Sequence, residues 1–143
     1  MWYGEYIHTL DNKERFILPA KFREKAKELK RKKFYITRGL EGCLSIFAEE
    51  EWLRREEKLK SLPFTKTDSR AFNRLFFSGA CEVEIDNQGR ITLPEHLREF
   101  AQIKKEIVII GVAESIEIWS KEIWEKFYKE NKKNFENLAE KLF

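Results

Sequence analysis

Two arginines, each standing four residues after an aspartate, are the side chains of this chain best suited to recognition chemistry. The first phrase is Asp11-Asn12-Lys13-Glu14-Arg15-Phe16-Ile17-Leu18-Pro19-Ala20-Lys21-Phe22-Arg23. The second is Asp86-Asn87-Gln88-Gly89-Arg90-Ile91-Thr92-Leu93-Pro94-Glu95-His96-Leu97-Arg98. Asp, Asn, Arg, Leu, Pro and the closing Arg coincide at a constant offset of 75 residues. One Asp-x-x-x-Arg carries no information, but two that each run into Leu-Pro-x-x-[Phe/Leu]-Arg are not a chance match. Arginine presents a planar fork of donors that suits phosphates and guanine edges. Long cationic side chains on rigid turns therefore point to contact with a polyanion, and the candidates for DNA contact are Lys13, Arg15, Lys21, Arg23, Arg90 and Arg98. The competing reading makes Arg15 and Arg90 structural ion pairs and Arg23 and Arg98 buttresses of the turns.

Asp11 and Asp86 could be imagined as a catalytic pair. Each is better explained by its own turn, where an Asp side chain bonds nearby backbone N–H groups, and by the Arg four residues on. Gly89 completes the second turn, because glycine adopts positive φ without strain. Nothing else looks catalytic: there is no Gly-rich phosphate loop, no nucleophile elbow and no paired His–carboxylate spacing. No enzyme, cofactor or small-molecule ligand is expected. Cys43 and Cys81 are isolated, and His8 and His96 lack ligand spacing, so no metal site is expected and the thiols suit a reducing cytoplasm. No window approaches twenty apolar residues, and Trp2-Tyr3-Gly4-Glu5 does not open a signal peptide, so no membrane association is expected.

The elements that must hold these residues are short. Residues 4–10 alternate, with Tyr6, His8 and Leu10 on one face, and predict a strand. A turn over Asp11–Glu14 leads into a second strand over 15–18, as a hairpin. Pro19 opens a helix with Phe22, Ala26 and Leu29 as its apolar face. Lys21, Arg23, Lys25, Lys27, Lys30, Arg31, Lys32 and Lys33 make the rest of that stretch basic. Strands over 34–37 and 43–47 follow, joined by the Gly39–Gly42 turn, then a helix whose first turn holds Glu49, Glu50 and Glu51, where the helix dipole favours anions. Thr67 or Asp68 can cap a further helix bearing Phe72, Leu75 and Phe76.

The order then repeats: strand 80–85, turn, strand 90–93, helix from Pro94, strands 106–110 and 115–119, helix from Ser120. The duplication extends beyond the phrases. Gly4 matches Gly79 at the same offset, while Gly39 and Gly111, Ile46 and Ile118, and Trp52 and Trp124 match at an offset of 72. The three-residue difference falls between Arg23 and Gly39, where a surface helix or loop can vary. Two copies are too few for a solenoid but suit an internal pseudo-dimer. The division is 4–53 for the first unit, 54–76 for a linker with a helix, 77–125 for the second unit and 126–143 for a C-terminal helical extension. Trp124, Tyr128, Asn131, Phe135, Leu138 and Leu142 form a heptad-like stripe there, for packing on the core or on a neighbouring subunit.

The net charge is only +3, yet it is unevenly spread. Residues 1–40 carry eleven Lys/Arg against five Asp/Glu, and residues 77–111 four against six. A basic first unit beside an acidic twin predicts that the first unit faces the polyanion while the second completes the fold. The bland alternative is a solvated helix face from Lys25 to Lys33.

With both phrases in view, Arg70-x-Phe72-x-Arg74-x-Phe76-Phe77-x-Gly79-Ala80 and Glu117-Ile118-Trp119 with Trp124 complete a resemblance. Over roughly residues 1–125 the chain resembles the MraZ family of bacterial transcriptional regulators. The resemblance implies an α+β, β-rich fold of two tandem swapped-hairpin SpoVT/AbrB-like units forming an intramolecular pseudo-dimer, with short helices and a C-terminal helix. It implies ring-like homo-oligomers, double-stranded DNA as partner, and a cytoplasmic, nucleoid-associated repressor acting on repeated boxes upstream of the division and cell-wall gene cluster. The alternative is an antitoxin-like or oligomeric protein-interaction module without sequence-specific DNA reading. One residue departs from the pattern: the first phrase has Glu14 where the family commonly has Gly. Either that turn differs, or Glu14 points away from DNA.

Overall fold

The computed structural model describes residues 1–30 and 33–143. Arg31 and Lys32 of the basic stretch lie outside the described residues. In chain order the elements are β1 (Trp2–Thr9), β2 (Arg15–Ile17), α1 (Ala20–Glu28), β3 (Lys33–Arg38), β4 (Leu44–Ala48), α2 (Glu49–Lys60), α3 (Thr67–Gly79), β5 (Cys81–Glu84), β6 (Arg90–Thr92), α4 (Glu95–Phe100), β7 (Glu106–Ala113), β8 (Ile116–Ser120), α5 (Lys121–Asn131) and α6 (Phe135–Leu142). Short 3-10 turns lie at Leu40–Gly42 and Lys132–Asn134.

The strands pair across the two halves of the chain. The larger sheet has the order β1-β7-β8-β4-β3-β5, and the smaller one pairs β2 with β6. All ladders are antiparallel. Exchanging the first half for the second turns the six-strand order into its own reverse, so the chain folds as a mixed α+β intramolecular pseudo-dimer. The local approximate twofold passes through two residue pairs. In the sheet Ser45 faces Glu117, and in the ribbon Phe16 faces Ile91. Each pair joins residues at the repeat offset.

This interleaving corrects the simple hairpin. β1 and β2 are joined by a tight turn but form no ladder with each other: β1 runs along β7 from Trp2–Ala113 to Thr9–Glu106, and β2 runs along β6. The reason is burial. Phe16, Leu18, Ile91 and Leu93 are all within 1% of complete burial, and each buried side chain of this size contributes about 1.5–3 kcal/mol. Pairing β2 with β6 stacks all four over the sheet together with Phe22 and Leu97. The opposite face of the sheet carries Phe47 and Trp119. There Trp52 of α2 stacks on Tyr35 and on Phe76 of α3, and Trp124 of α5 meets Trp119 edge-on. The sheet is thus covered on both faces, with the β2–β6 ribbon, α1 and α4 as one outer layer.

The three-residue difference between the copies lies in the helices, within the stretch the offset assigned to it: α1 has nine residues and α4 six. Other expectations change in detail. Leu29 falls just beyond α1 and is exposed, so only Phe22 and Ala26 form the buried face. Lys66, not Thr67 or Asp68, occupies the cap of α3, and no side chain caps it. Gly4 lies within β1 at a positive φ of 105°, whereas Gly79 ends a helix, so that match does not extend to conformation. The C-terminal stripe is not one helix. The 3-10 turn at Lys132–Asn134 divides it, and Phe135, Leu138 and Leu142 are exposed.

Candidate nucleic-acid interface

A two-stranded ribbon sorts its residues by pleat: cross-strand partners share a face, and the next pair along takes the other. Phe16 and Ile91 face the core, so the pairs Arg15–Thr92 and Ile17–Arg90 face outward. Ile17 is exposed, Thr92 likewise, and the two arginine side chains are 23% and 24% exposed. Arg15 and Arg90 are therefore diagonal neighbours on one solvent face, related by the approximate twofold. Ile17 and Thr92, which the sequence reading passed over, complete that face. Their signal was the alternation Arg-Phe-Ile and Arg-Ile-Thr.

Each arginine is held by its aspartate in the same way. Asp11 Oδ1 accepts the backbone N–H groups of Lys13 and Arg15, both at 2.9 Å, and Oδ2 accepts Nε of Arg15 at 2.8 Å. Asp86 Oδ1 accepts those of Gln88 and Arg90 at 2.9 Å, and Oδ2 accepts Nε of Arg90 at 2.7 Å. The backbone N–H of the arginine, followed by its side chain, holds each carboxyl below its ordinary range. Because Nε takes the carboxylate and the terminal Nη groups have no hydrogen bond among the described residues, the Nη groups of each guanidinium suit an outside acceptor. Lys13 stands exposed at the tip of the first turn.

The turns are also joined to each other. Leu18 N–H donates to Gly89 O and Leu93 N–H to Glu14 O, each at 2.9 Å. Glu14 has φ of 62° and Gly89 of 78°. Glu14 thus takes the left-handed conformation that glycine takes in the other copy, so the turn itself does not differ. Its carboxylate lies 3.6 Å from Nη1 of Arg98, and Arg98 Nε donates to Leu93 O at 3.1 Å. Arg98 is engaged within the protein. Its counterpart Arg23 lies across Gly89, where a Cβ would come within 2.5 Å of Arg23 Cδ. Among the described residues Arg23 has no ion pair, and both Lys21 and Arg23 are exposed.

The charge division read along the sequence is not a division in space. The basic helix α1 adjoins the second turn, and an open cleft of about 900 Å³ lies between them, bordered by Arg23 and Lys27 of α1 and Lys30 just beyond it on one side and by Asp86–Gly89 on the other. The first turn meets α4, which carries Glu95 and Glu99. Lys27 and Lys30 were legible only as part of a charge run.

A thiol–imidazole contact exists elsewhere, with Cys81 Sγ 3.9 Å from His96 Nε2. The same nitrogen lies 3.1 Å from Gly79 O, which it meets only as a donor, so it is not placed to take a proton from the thiol. Cys43 is fully buried, and burial pushes its thiol far up. Among the described residues no group of three or more His, Cys, Asp or Glu could hold a metal ion, and no helix is long and apolar enough to cross a membrane.

The sequence profile of the family described as "MraZ protein, putative antitoxin-like" matches twice, over residues 1–75 and 76–143. The chain is 52% identical over 142 residues to the transcriptional regulator MraZ of Caldanaerobacter subterraneus subsp. tengcongensis, covering 99% of this chain and 96% of that protein. It is 51% identical, with the same coverage, to the proteins of that name from Moorella thermoacetica and Carboxydothermus hydrogenoformans.

Proposed function

Since the chain belongs to the MraZ family, we propose that it is a transcriptional regulator that binds double-stranded DNA through the outer face of the β2–β6 ribbon. The observation that carries this reading is the pair of aspartate-clamped arginines on one solvent face of a two-stranded ribbon. A two-stranded ribbon fits the major groove, and an arginine held at Nε keeps two terminal nitrogens for the N7 and O6 acceptors of guanine. Arg15 and Arg90 read bases, while Lys13, Lys21 and Arg23 meet phosphates. Arg98 mainly supports the first turn. Residues 4–53 and 77–125 are the two units of this reader, 54–76 joins them and 126–143 extends the second.

In this reading the protein acts as a repressor in the cytoplasm, on the nucleoid, at repeated boxes upstream of the division and cell-wall gene cluster. It works as a homo-oligomer. Exposed apolar side chains support that part: Phe64, Phe72 and Leu75 around α3, and Phe135, Leu138 and Leu142 on α6. A single ribbon offers few contacts, and linking several raises avidity by roughly 10² to 10⁴.

The test is a fluorescence-anisotropy titration of the DNA immediately upstream of the chain's own coding sequence against scrambled DNA, over a salt series. Arg15→Ala and Arg90→Ala should each lose promoter preference, by about 1–3 kcal/mol per arginine. A wild-type protein without preference, or two variants that bind normally, would sink the proposal. A second reading, an antitoxin-like module, is favoured by the description of the matched family and by the exposed apolar side chains of α6. Deleting residues 126–143 separates the two: loss of a co-purifying protein supports the module, and loss of oligomers alone supports the assembly described above.

A further inference from the structure

We propose that α1 and the second turn form a one-sided phosphate cradle, in which Arg23, Lys27 and Lys30 grip the DNA backbone beside the bases under the ribbon. A nearly twofold protein is thereby set on DNA in one orientation. This inference rests on the ribbon being the DNA-reading face.

Three observations converge on it. The first is shape: the three cations do not merely coat a solvated helix but form one bank of an open cleft whose other bank is the second turn, next to Arg90. The carboxylate of Asp86 in that bank is already taken by Gln88 and Arg90, so the bank does not offer a free anion to the lysines. The second is availability. Gly89 has no side chain, so Arg23 lies across the turn with no ion pair among the described residues. The third is the missing counterpart. On the other side of the approximate twofold, α4 is three residues shorter and carries Glu95 and Glu99, and Arg98 is held by Glu14 and by Leu93 O. Glu24 also borders the cleft. It stands against three cations, and the site remains a net attractor for phosphate, the anion that a duplex presents at regular intervals.

The inference is tested on the full-length protein with the upstream duplex, by hydroxyl-radical footprinting and by the slope of log affinity against log salt. The variants are Lys27→Gln/Lys30→Gln and, as a control with the same charge loss, Lys104→Gln/Lys105→Gln, which border a separate depression beside Lys121. Each phosphate contact contributes about 0.9 to the slope, so the first pair should flatten it by nearly 2 for each protomer bound and the control should not. Protection should shrink on the same single flank of each box, with promoter preference over scrambled DNA unchanged. An unchanged slope and footprint, or an equal loss on both flanks, overturns the cradle while leaving the ribbon as reader. If Arg15→Ala and Arg90→Ala keep full promoter preference, the ribbon reading fails and the cradle fails with it.

Discussion

The two Asp-x-x-x-Arg turns have the same hydrogen bonds and the same left-handed residue before the arginine, yet one is built on Gly89 and the other on Glu14. The shared geometry therefore comes from the aspartate's three acceptances and from the bonds between the turns, not from glycine. The surroundings differ. Gly89 leaves Arg23 without an ion pair among the described residues, beside a basic helix, whereas Glu14 ties Arg98 down beside an acidic one. A left-handed non-glycine residue costs roughly 1–2 kcal/mol. The Glu14–Arg98 pair, part-exposed on both sides, offsets about 0–1 kcal/mol of that. The first turn accepts a small loss of stability and ends with an anion 3.6 Å from Arg98.

The strongest way to break the comparison is to remove the feature the turns share. Asp11→Ala and Asp86→Ala each delete three acceptances and free one arginine to move. Each should lower promoter affinity by roughly tenfold, the scale of one well-placed arginine, as read by anisotropy. A silent Asp11→Ala beside a damaging Asp86→Ala would restore functional asymmetry to the ribbon. The clamps should also survive mild acid. Both carboxyls titrate below their ordinary range when folded, so their contribution is complete above about pH 4, the unfolded value, and is lost only as pH falls through the lowered folded values. Promoter binding that weakens between neutral pH and about pH 5 through these turns alone would contradict the geometry.

A smaller effect sharpens the contrast at the position where the turns differ. Gly89→Ala should destabilise the protein by about 1 kcal/mol in a denaturant melt, since alanine meets positive φ and crowds the end of Arg23. Glu14→Gly should move stability by less than about 1 kcal/mol while raising DNA affinity up to roughly fivefold at low salt, because it removes an anion near the ribbon. If Glu14→Gly weakened binding, Glu14 would be holding Arg98 in a posture the DNA requires.

The smallest expected effect concerns His8. Burial, followed by the repulsion of Arg23 and against the pull of a hydrogen bond to Ile17, lowers its pKa. The native state disfavours its charged form, so its contribution is complete above about pH 6.5, the unfolded value, and declines as pH falls through the lowered folded value. A His8→Gln variant should flatten that part of the stability profile. An unchanged profile would place the proton elsewhere.

Local pattern was enough to read most elements. The alternation around Tyr6 and His8, the turn chemistry of Asp11 and Asp86, the prolines at the helix starts and the offset between the copies all act within a few residues, and α1 and α4 differ by the three residues that the offset requires. The sequence by itself determined two copies of one strand–turn–strand–helix phrase and the residues that make each turn. Only the tertiary structure decided which strands pair, because a short apolar strand is satisfied by any ladder, and burial of Phe16, Leu18, Ile91 and Leu93 in one core selects the crossed one. It also decided which charges meet. Crossing the halves sets the basic helix against the second turn, and puts Arg15 and Arg90 on one face that neither half could make alone.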